Sequence, residues 1–128
     1  MGRRAPRGTG NHLMNRGDIY MVDLNPTVGH EQQGARPVVV LSPAALNRVS
    51  PALIAPITSG GFAARYGGMA VSLTGAGTDT TGVALCNQIR TIDIRGRKGK
   101  FVEALPDAVV AEILARVVDI FELDKAES

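Results

Sequence analysis

A chain of 128 residues can build one hydrophobic core and is too short for two. With 45% apolar and 20% charged residues, the composition is that of a globular domain, and no apolar run approaches the roughly 20 residues of a membrane span. The basic N-terminus lacks the apolar stretch of a secretory signal, and a lone cysteine, Cys86, excludes an internal disulfide and a cysteine-built zinc site, which fits a cytoplasmic protein.

The net charge of +2 is unevenly spread. Residues 1–15 carry Arg3, Arg4 and Arg7 and no acid. Residues 16–100 hold nine lysines and arginines against five acids, and residues 101–128 hold two against seven. A basic middle and an acidic end suit a polyanionic partner at the middle, though solvated surfaces alone produce the same distribution.

Residues 1–13 are polar, arginine- and glycine-rich and without periodicity, so they are expected to be a flexible basic extension. Met14 opens the segment MNRGDIYMVDL like a natural start, which makes residues 14–128 the expected single domain. Asp18–Leu24 reads as a strand, closed by the turn Asn25-Pro26-Thr27. Pro37–Ser42 is an unbroken β-branched run of the kind found in strands buried on both faces. Ala52–Thr58 is another strand, with Pro56 demoting it to an edge or bulge position because proline cannot donate to a ladder. Met69–Leu73 and Gly82–Asn87 follow, joined by the Gly/Thr-rich loop Thr74–Thr81. Ile89–Asp93 continues the last strand or follows a bulge, Arg95–Lys100 is a basic turn, and Phe101–Ala104 is a short returning strand.

Pro106–Leu123 is the one long helix predicted, with Pro106 at its first position and Asp107 at the positive end of its dipole. Val109, Ile113, Val117 and Ile120 or Phe121 form an apolar stripe that Val110, Leu114 and Val118 widen. Such a helix is either a subunit contact or deeply buried. Five or six short strands and then a helix define a mainly β fold, a small SH3-like, partly open antiparallel barrel.

The polar residues that could do chemistry fall in three clusters. Gly29–Pro37 (GHEQQGARP) is a glycine-bounded loop between apolar strands. In it His30 exchanges protons near neutral pH, Glu31 is a base or orients one, and Arg36 presents a planar fork to phosphate oxygens. By residue type alone, a solvated loop and a surface ion pair account for them equally. Thr58-Ser59-Gly60-Gly61 puts hydroxyls beside flexible backbone, which suits either a phosphate nest or a plain turn. Asn87-Gln88-Ile89-Arg90 could read base edges and hold phosphate, or be the outward face of an edge strand. Phe62 and Tyr66 flank Arg65 in a loop that could stack bases. Two histidines and one cysteine in dissimilar segments give no metal-ligand spacing, and no nucleophile elbow or phosphate-binding glycine loop is present, so no cofactor is expected.

Three blocks, RGDIYMVDLNPTVGHEQQGARPVVVLSP (Arg16–Pro43), APITSGG (Ala55–Gly61) and GVALCNQIRTIDI (Gly82–Ile94), resemble the PemK/MazF/ChpB family of toxin endoribonucleases, nearest its ChpB and PemK/Kid branches. The resemblance spans about residues 14–123. It implies an SH3-like barrel, a homodimer, sequence-specific cleavage of single-stranded mRNA without a metal, and growth inhibition. It also implies a cognate antitoxin of the MazE/PemI/ChpS kind, whose acidic tail occupies the RNA groove and through which alone DNA is bound. By the same resemblance Arg36 and Thr58 are the catalytic positions, with His30 and Glu31 assisting. Gln33, Ser59, Phe62, Arg65, Asn87, Gln88 and Arg90 fall to the substrate. Some PemK-type members carry an Arg-x-Asp pair in the third block, where this chain has Leu85 and Asn87.

Two other readings share these features. A gyrase poison of the CcdB type has the same barrel, but the His-Glu-Gln-Gln-Gly-x-Arg block suits RNA chemistry better than a protein interface. A weakly catalytic nucleic-acid-binding module, acting with its antitoxin as a repressor, fits the missing Arg-x-Asp pair.

Overall fold

The computed structural model of the chain describes residues 14–24, 35–59 and 68–123. Within them the order is β1 (Asp18–Val22), β2 (Arg36–Val40), α1 (Ala44–Asn47), β3 (Ala52–Thr58), β4 (Ala70–Ser72), β5 (Val83–Leu85), β6 (Arg90–Ile92), β7 (Lys100–Ala104) and α2 (Asp107–Phe121). All strand pairs are antiparallel. They run β4-β5-β3-β2-β1-β7, with β6 also on β3. The fold is thus a mainly antiparallel open sheet with a C-terminal helix.

Both faces of the central strands are covered, and this is why Val38, Val39 and Val40 read as a continuous run rather than an alternation. All three are wholly buried. On one face Ile19, Val39, Ala55, Ile57, Val71 and Ala84 pack with Val110 and Ile113 of α2. On the other, Tyr20, Val22, Val38, Val40, Ile54 and Ile92 form a second core. That core is closed at β7 by Phe101, whose ring meets Tyr20 edge-on at 5.7 Å.

The sequence expectations hold with four adjustments. Where strand ends shift they draw in by one or two residues, except that β2 and β7 each begin one earlier, and β3 is as expected. Pro106 caps α2 in extended geometry, and Asp107 is the first helical residue. The helix is not deeply buried: only Val110 and Ile113 are, while Val118 and Phe121 stand half to three-quarters exposed. The short helix α1 was not expected. It is held by Asn47, whose amide donates to the Met14 and Ser42 carbonyls while its Oδ1 accepts from the buried Ser42 hydroxyl. Ser42 Oγ in turn accepts the Leu53 N–H at 2.9 Å, which fixes where β3 begins.

β3 is no edge strand, since it is flanked by β2 on one side and by β5 and β6 on the other. Pro56 is nevertheless harmless. Leu53 accepts the Leu41 N–H, so the odd residues of β3 direct their backbone groups to β2 and the even ones away from it. The donor that Pro56 lacks therefore faces the interruption between β5 and β6. There the two residues Ala55 and Pro56 run opposite the five residues Leu85–Ile89.

Candidate active site

Arg36 opens β2 and pairs with Val22. The β2–β3 register runs Val38↔Pro56, Val39↔Ala55, Val40↔Ile54. Carried two residues further, it sets Arg36 opposite Thr58, on the same face of the sheet and at the same rim. Residues 22 apart in the chain thus become cross-strand neighbours. Arg36 is exposed, and among the described residues no hydrogen bond or ion pair engages its guanidinium. Its five donors face outward, a geometry matched to phosphate oxygens.

Thr58 is half-buried, and its backbone is held from both sides, because β3 also pairs it with Val83 of β5. The residue before Val83 is Gly82, at φ +110°, where a Cβ would run into the Thr58 carbonyl oxygen and carbon. Glycine here lets β5 close on the Thr58 backbone. This positioning residue escaped the sequence reading. Its signal was a glycine at the mouth of a strand, a place where another backbone often approaches closely. Ser59, next along, is exposed.

Asn87 and Gln88 lie in the five-residue interruption beside Pro56. Cys86 on one side is buried in the core beneath α2, Ile89 on the other packs against it, and a turn from Gln88 N–H to the Leu85 carbonyl closes the segment. With both flanks anchored inward, Asn87 and Gln88 are turned out and exposed. Arg90 follows, paired to Ile54, exposed and also without an ion pair among the described residues. It sits four β3 residues from Thr58, roughly 13 Å along the strand.

Leu85 is 7% exposed and packs with Ala70 and Val83, so that position offers no proton chemistry. Cys86 is no nucleophile either. Burial, opposed by the nearby Arg116 charge and reinforced by Glu112, pushes its thiol up to about 11. Among the described residues no three His, Cys, Asp or Glu side chains converge as metal ligands.

His30, Glu31, Gln33, Phe62 and Arg65, and the basic extension 1–13, lie outside the described residues. The ends of their segments are defined. The chain leaves the sheet after Val22 and re-enters at Arg36, which pairs with Val22. It leaves again after Thr58 and Ser59 and re-enters by Met69, whose carbonyl accepts the Cys86 N–H beside Asn87. The first connection thus begins and ends beside Arg36, while the second begins at the Thr58 end of β3 and returns at Met69, against Cys86, three residues on from Val83 of β5. The structure brings Arg36, Thr58 and Ser59 together, sets Asn87 and Gln88 beside them along β3, and leaves Arg90 further off.

Residues 15–121 match the family model of the PemK-like, MazF-like toxins of type II toxin-antitoxin systems, and the chain belongs to this family. It is 52% identical over 108 residues to the endoribonuclease PemK of Escherichia coli, covering 84% of this chain and 81% of that one. To the endoribonuclease toxin ChpB of Escherichia coli strain K12 it is 46% identical over 108 residues, 84% and 93% of the two chains. Among solved structures, a MazE-MazF complex from Deinococcus radiodurans superimposes with a TM-score of 0.74 at 31% identity, over 87% of this chain and 97% of that one. MazF from the same organism gives 0.70 at 31% identity, over 87% and 98%.

Proposed function

We propose that this chain is the toxin of a type II toxin-antitoxin pair and acts as an endoribonuclease on single-stranded mRNA, cutting within short sequences and so arresting translation and growth. The observation that carries the reading is the β2–β3 register, which, continued by two residues, puts Arg36, whose guanidinium has no partner among the described residues, opposite Thr58. The names of relatives at 52% and 46% identity support it.

In the reaction, the 2′-oxygen of the RNA attacks the adjacent phosphorus in line as its proton passes to a base. The bond to the 5′-oxygen breaks, and that oxygen takes a proton as it leaves. The products are a 2′,3′-cyclic phosphate and a 5′-OH. Arg36 holds the two non-bridging oxygens as charge gathers on them. Thr58 donates its hydroxyl to the same group and fixes its orientation. His30 and Glu31 serve the proton transfers, a role worth on the order of 10²–10⁴-fold. Gln33, Ser59, Phe62, Arg65, Asn87, Gln88 and Arg90 hold the flanking nucleotides. Because the substrate supplies the nucleophile, no activated serine or cysteine and no metal-bound hydroxide is called for, and DNA, lacking the 2′-OH, resists.

The active form is a homodimer, inhibited in the cytoplasm by an antitoxin whose acidic segment covers the same rim. MazF's occurrence with MazE in the neighbouring structures supports an antitoxin partner, through which DNA would be bound. Incubating purified protein with a long unstructured RNA in EDTA, then mapping cut sites and end groups, tests the reading. Discrete cuts with cyclic-phosphate and 5′-OH ends are expected. Intact RNA, or cleavage unchanged in Arg36→Ala, would overturn it.

A further inference from the structure

A second basic feature lies at the opposite end of β3. A groove of about 390 Å³ opens between the end of α1 and the turn after β6, lined by Met14, Arg48, Val49, Pro51, Asp93 and Arg95 among others. Its polar groups divide sharply. Asn47 spends both amide hydrogens and its oxygen on Met14 and Ser42, and the Ser50 hydroxyl turns to the Leu46 and Pro51 carbonyls. Asp93 accepts the Gly96 N–H at 3.0 Å, which ties its carboxylate to its own turn. Arg48 and Arg95 are exposed, and among the described residues neither guanidinium has a hydrogen-bonding or ionic partner. What the groove presents to a ligand is therefore two guanidinia without partners among the described residues, beside the apolar Met14, Val49 and Pro51 and one carboxylate, Asp93, with an oxygen tied to its own turn.

The groove and the rim lie at the two ends of β3, with Arg90 between them. From Thr58 the β5–β6 side of β3 passes Asn87 and Gln88 opposite Pro56, then Arg90 opposite Ile54, and reaches the groove at Ala52. That run is six residues of strand, roughly 20 Å, enough for several nucleotides of an extended strand. We infer that the Arg48–Arg95 groove is a distal RNA contact that grips the backbone of the strand leaving the cleavage rim, adding affinity without reading sequence. This rests on the endoribonuclease reading above. Backbone recognition is the simpler fit, since the amide and hydroxyl side chains of the groove, Asn47 and Ser50, are consumed internally and a guanidinium fork matches phosphate oxygens. An acidic protein segment would also meet two arginines, but the continuity through Arg90 to Arg36 favours the nucleic-acid strand.

The experiment compares wild type with Arg48→Gln/Arg95→Gln and Arg48→Lys/Arg95→Lys. Binding is measured by anisotropy on uncleavable 2′-O-methyl RNAs of about 6 and about 20 nucleotides over a salt series, and cleavage is measured on the matching RNAs. For the glutamine variant, loss of two phosphate contacts is expected to make the log–log salt slope on the long strand shallower by about 1.4. KM for long RNA should rise several-fold, while kcat and the short strand stay unchanged, and the lysine variant should restore most of the slope. Unchanged salt slope and KM on the long strand would overturn the inference, as would equal loss on both lengths, or weakened capture of a Glu/Asp-rich peptide with RNA binding intact. Wild type that cleaves neither RNA would count against the endoribonuclease reading, and the uncleavable strands would still decide whether the groove binds.

Discussion

Gly82 lies so close against Thr58 that the Thr58 carbonyl oxygen fills the space a Cβ would need. The contact joins the mouth of β5 to the last residue of β3. Gly82→Ala suffers twice, from the steric clash and from φ +110°. The left-handed backbone alone costs roughly 1–2 kcal/mol. Gly77→Ala is the control, with a φ of +85° and nothing within 4 Å of its Cβ position. A urea melt should show Gly82→Ala losing clearly more stability than Gly77→Ala. Cleavage rate, measured well below both midpoints, should fall only for Gly82→Ala. Equal behaviour of the two variants would mean that the close approach to Thr58 carries no weight.

Arg36→Ala is expected to reduce kcat by about 10²–10³-fold, the usual effect of losing a donor that meets developing charge. Stability should barely change, because the side chain is exposed and has no partner among the described residues. Arg36→Lys keeps the charge and loses the planar fork, so it should recover only part of the rate. Single-turnover cleavage and a thermal melt on the same preparations check both halves of this expectation. Full recovery by lysine would reduce the role of Arg36 to a point charge.

Glu103 on β7 holds the loop between β4 and β5. Burial alone would raise its carboxyl, but the Thr80 hydroxyl at 2.6 Å, the Thr80 N–H at 2.8 Å and the Asp79 N–H at 3.2 Å outweigh burial and bring it below the ordinary value of 4.5. A carboxyl lowered in the folded state stabilises the protein above the unfolded value and loses that contribution as pH falls through the folded one. Glu103→Gln should therefore cost about 1 kcal/mol at neutral pH, the worth of a hydrogen-bonded contact. Denaturation at a series of pH values should show the gap between the two proteins shrinking below pH 4.5. A gap independent of pH would sink the idea that the carboxylate form is what holds the loop.

The architecture was legible in the sequence because its signals are local and strong. The Pro37–Ser42 run announced a strand covered on both faces, and the apolar spacing after Pro106 announced a helix. α1 was not legible because four residues carry no periodicity, and its anchor is a network from Asn47 to Met14, 33 residues away. Pro56 was read correctly as a break in a ladder, but its place between β5 and β6 depends on a register that spacing cannot give. The candidate rim was legible only as a set of residue types, with Arg36 and Thr58 singled out by family resemblance. Their juxtaposition and the Gly82 approach exist only across strands. The Arg48–Arg95 groove was invisible because its two arginines look like ordinary surface charges until α1 and the turn after β6 are set side by side.

Cys86 offers a direct probe of the core beneath α2. With burial the first cause of a thiol value near 11, the folded protein should resist thiol reagents at pH 8 and react fully in denaturant. The same shift bears on alkaline stability. The unfolded thiol ionises near 9.0 and the folded one does not, so stability should decline as pH rises from about 9 toward 11, and Cys86→Ala should lack that part of the decline. Rapid labelling of the native protein at pH 8 would contradict the burial on which this rests.

Leu85 and Asn87 occupy the third-block positions where some PemK-type toxins carry arginine and aspartate, and the structure predicts opposite tolerances for restoring them. Leu85 is buried between Ala70 and Val83 on β5, and a guanidinium placed there has no partner among the described residues. Burying an unpaired charge is costly enough that Leu85→Arg alone should lower the urea midpoint markedly. Asn87 is turned outward beside the rim, so Asn87→Asp should fold as well as wild type. It adds a group titrating near 4 within the region the RNA crosses, and its charge opposes phosphate binding above that pH. The expected signature is a KM for RNA that rises from pH 4.5 to 7 relative to wild type, with kcat little changed. A gain in kcat with an acidic limb in its pH profile would instead show that position 87 reaches the reacting atoms, and would move Asn87 from holding the strand into the proton-transfer step.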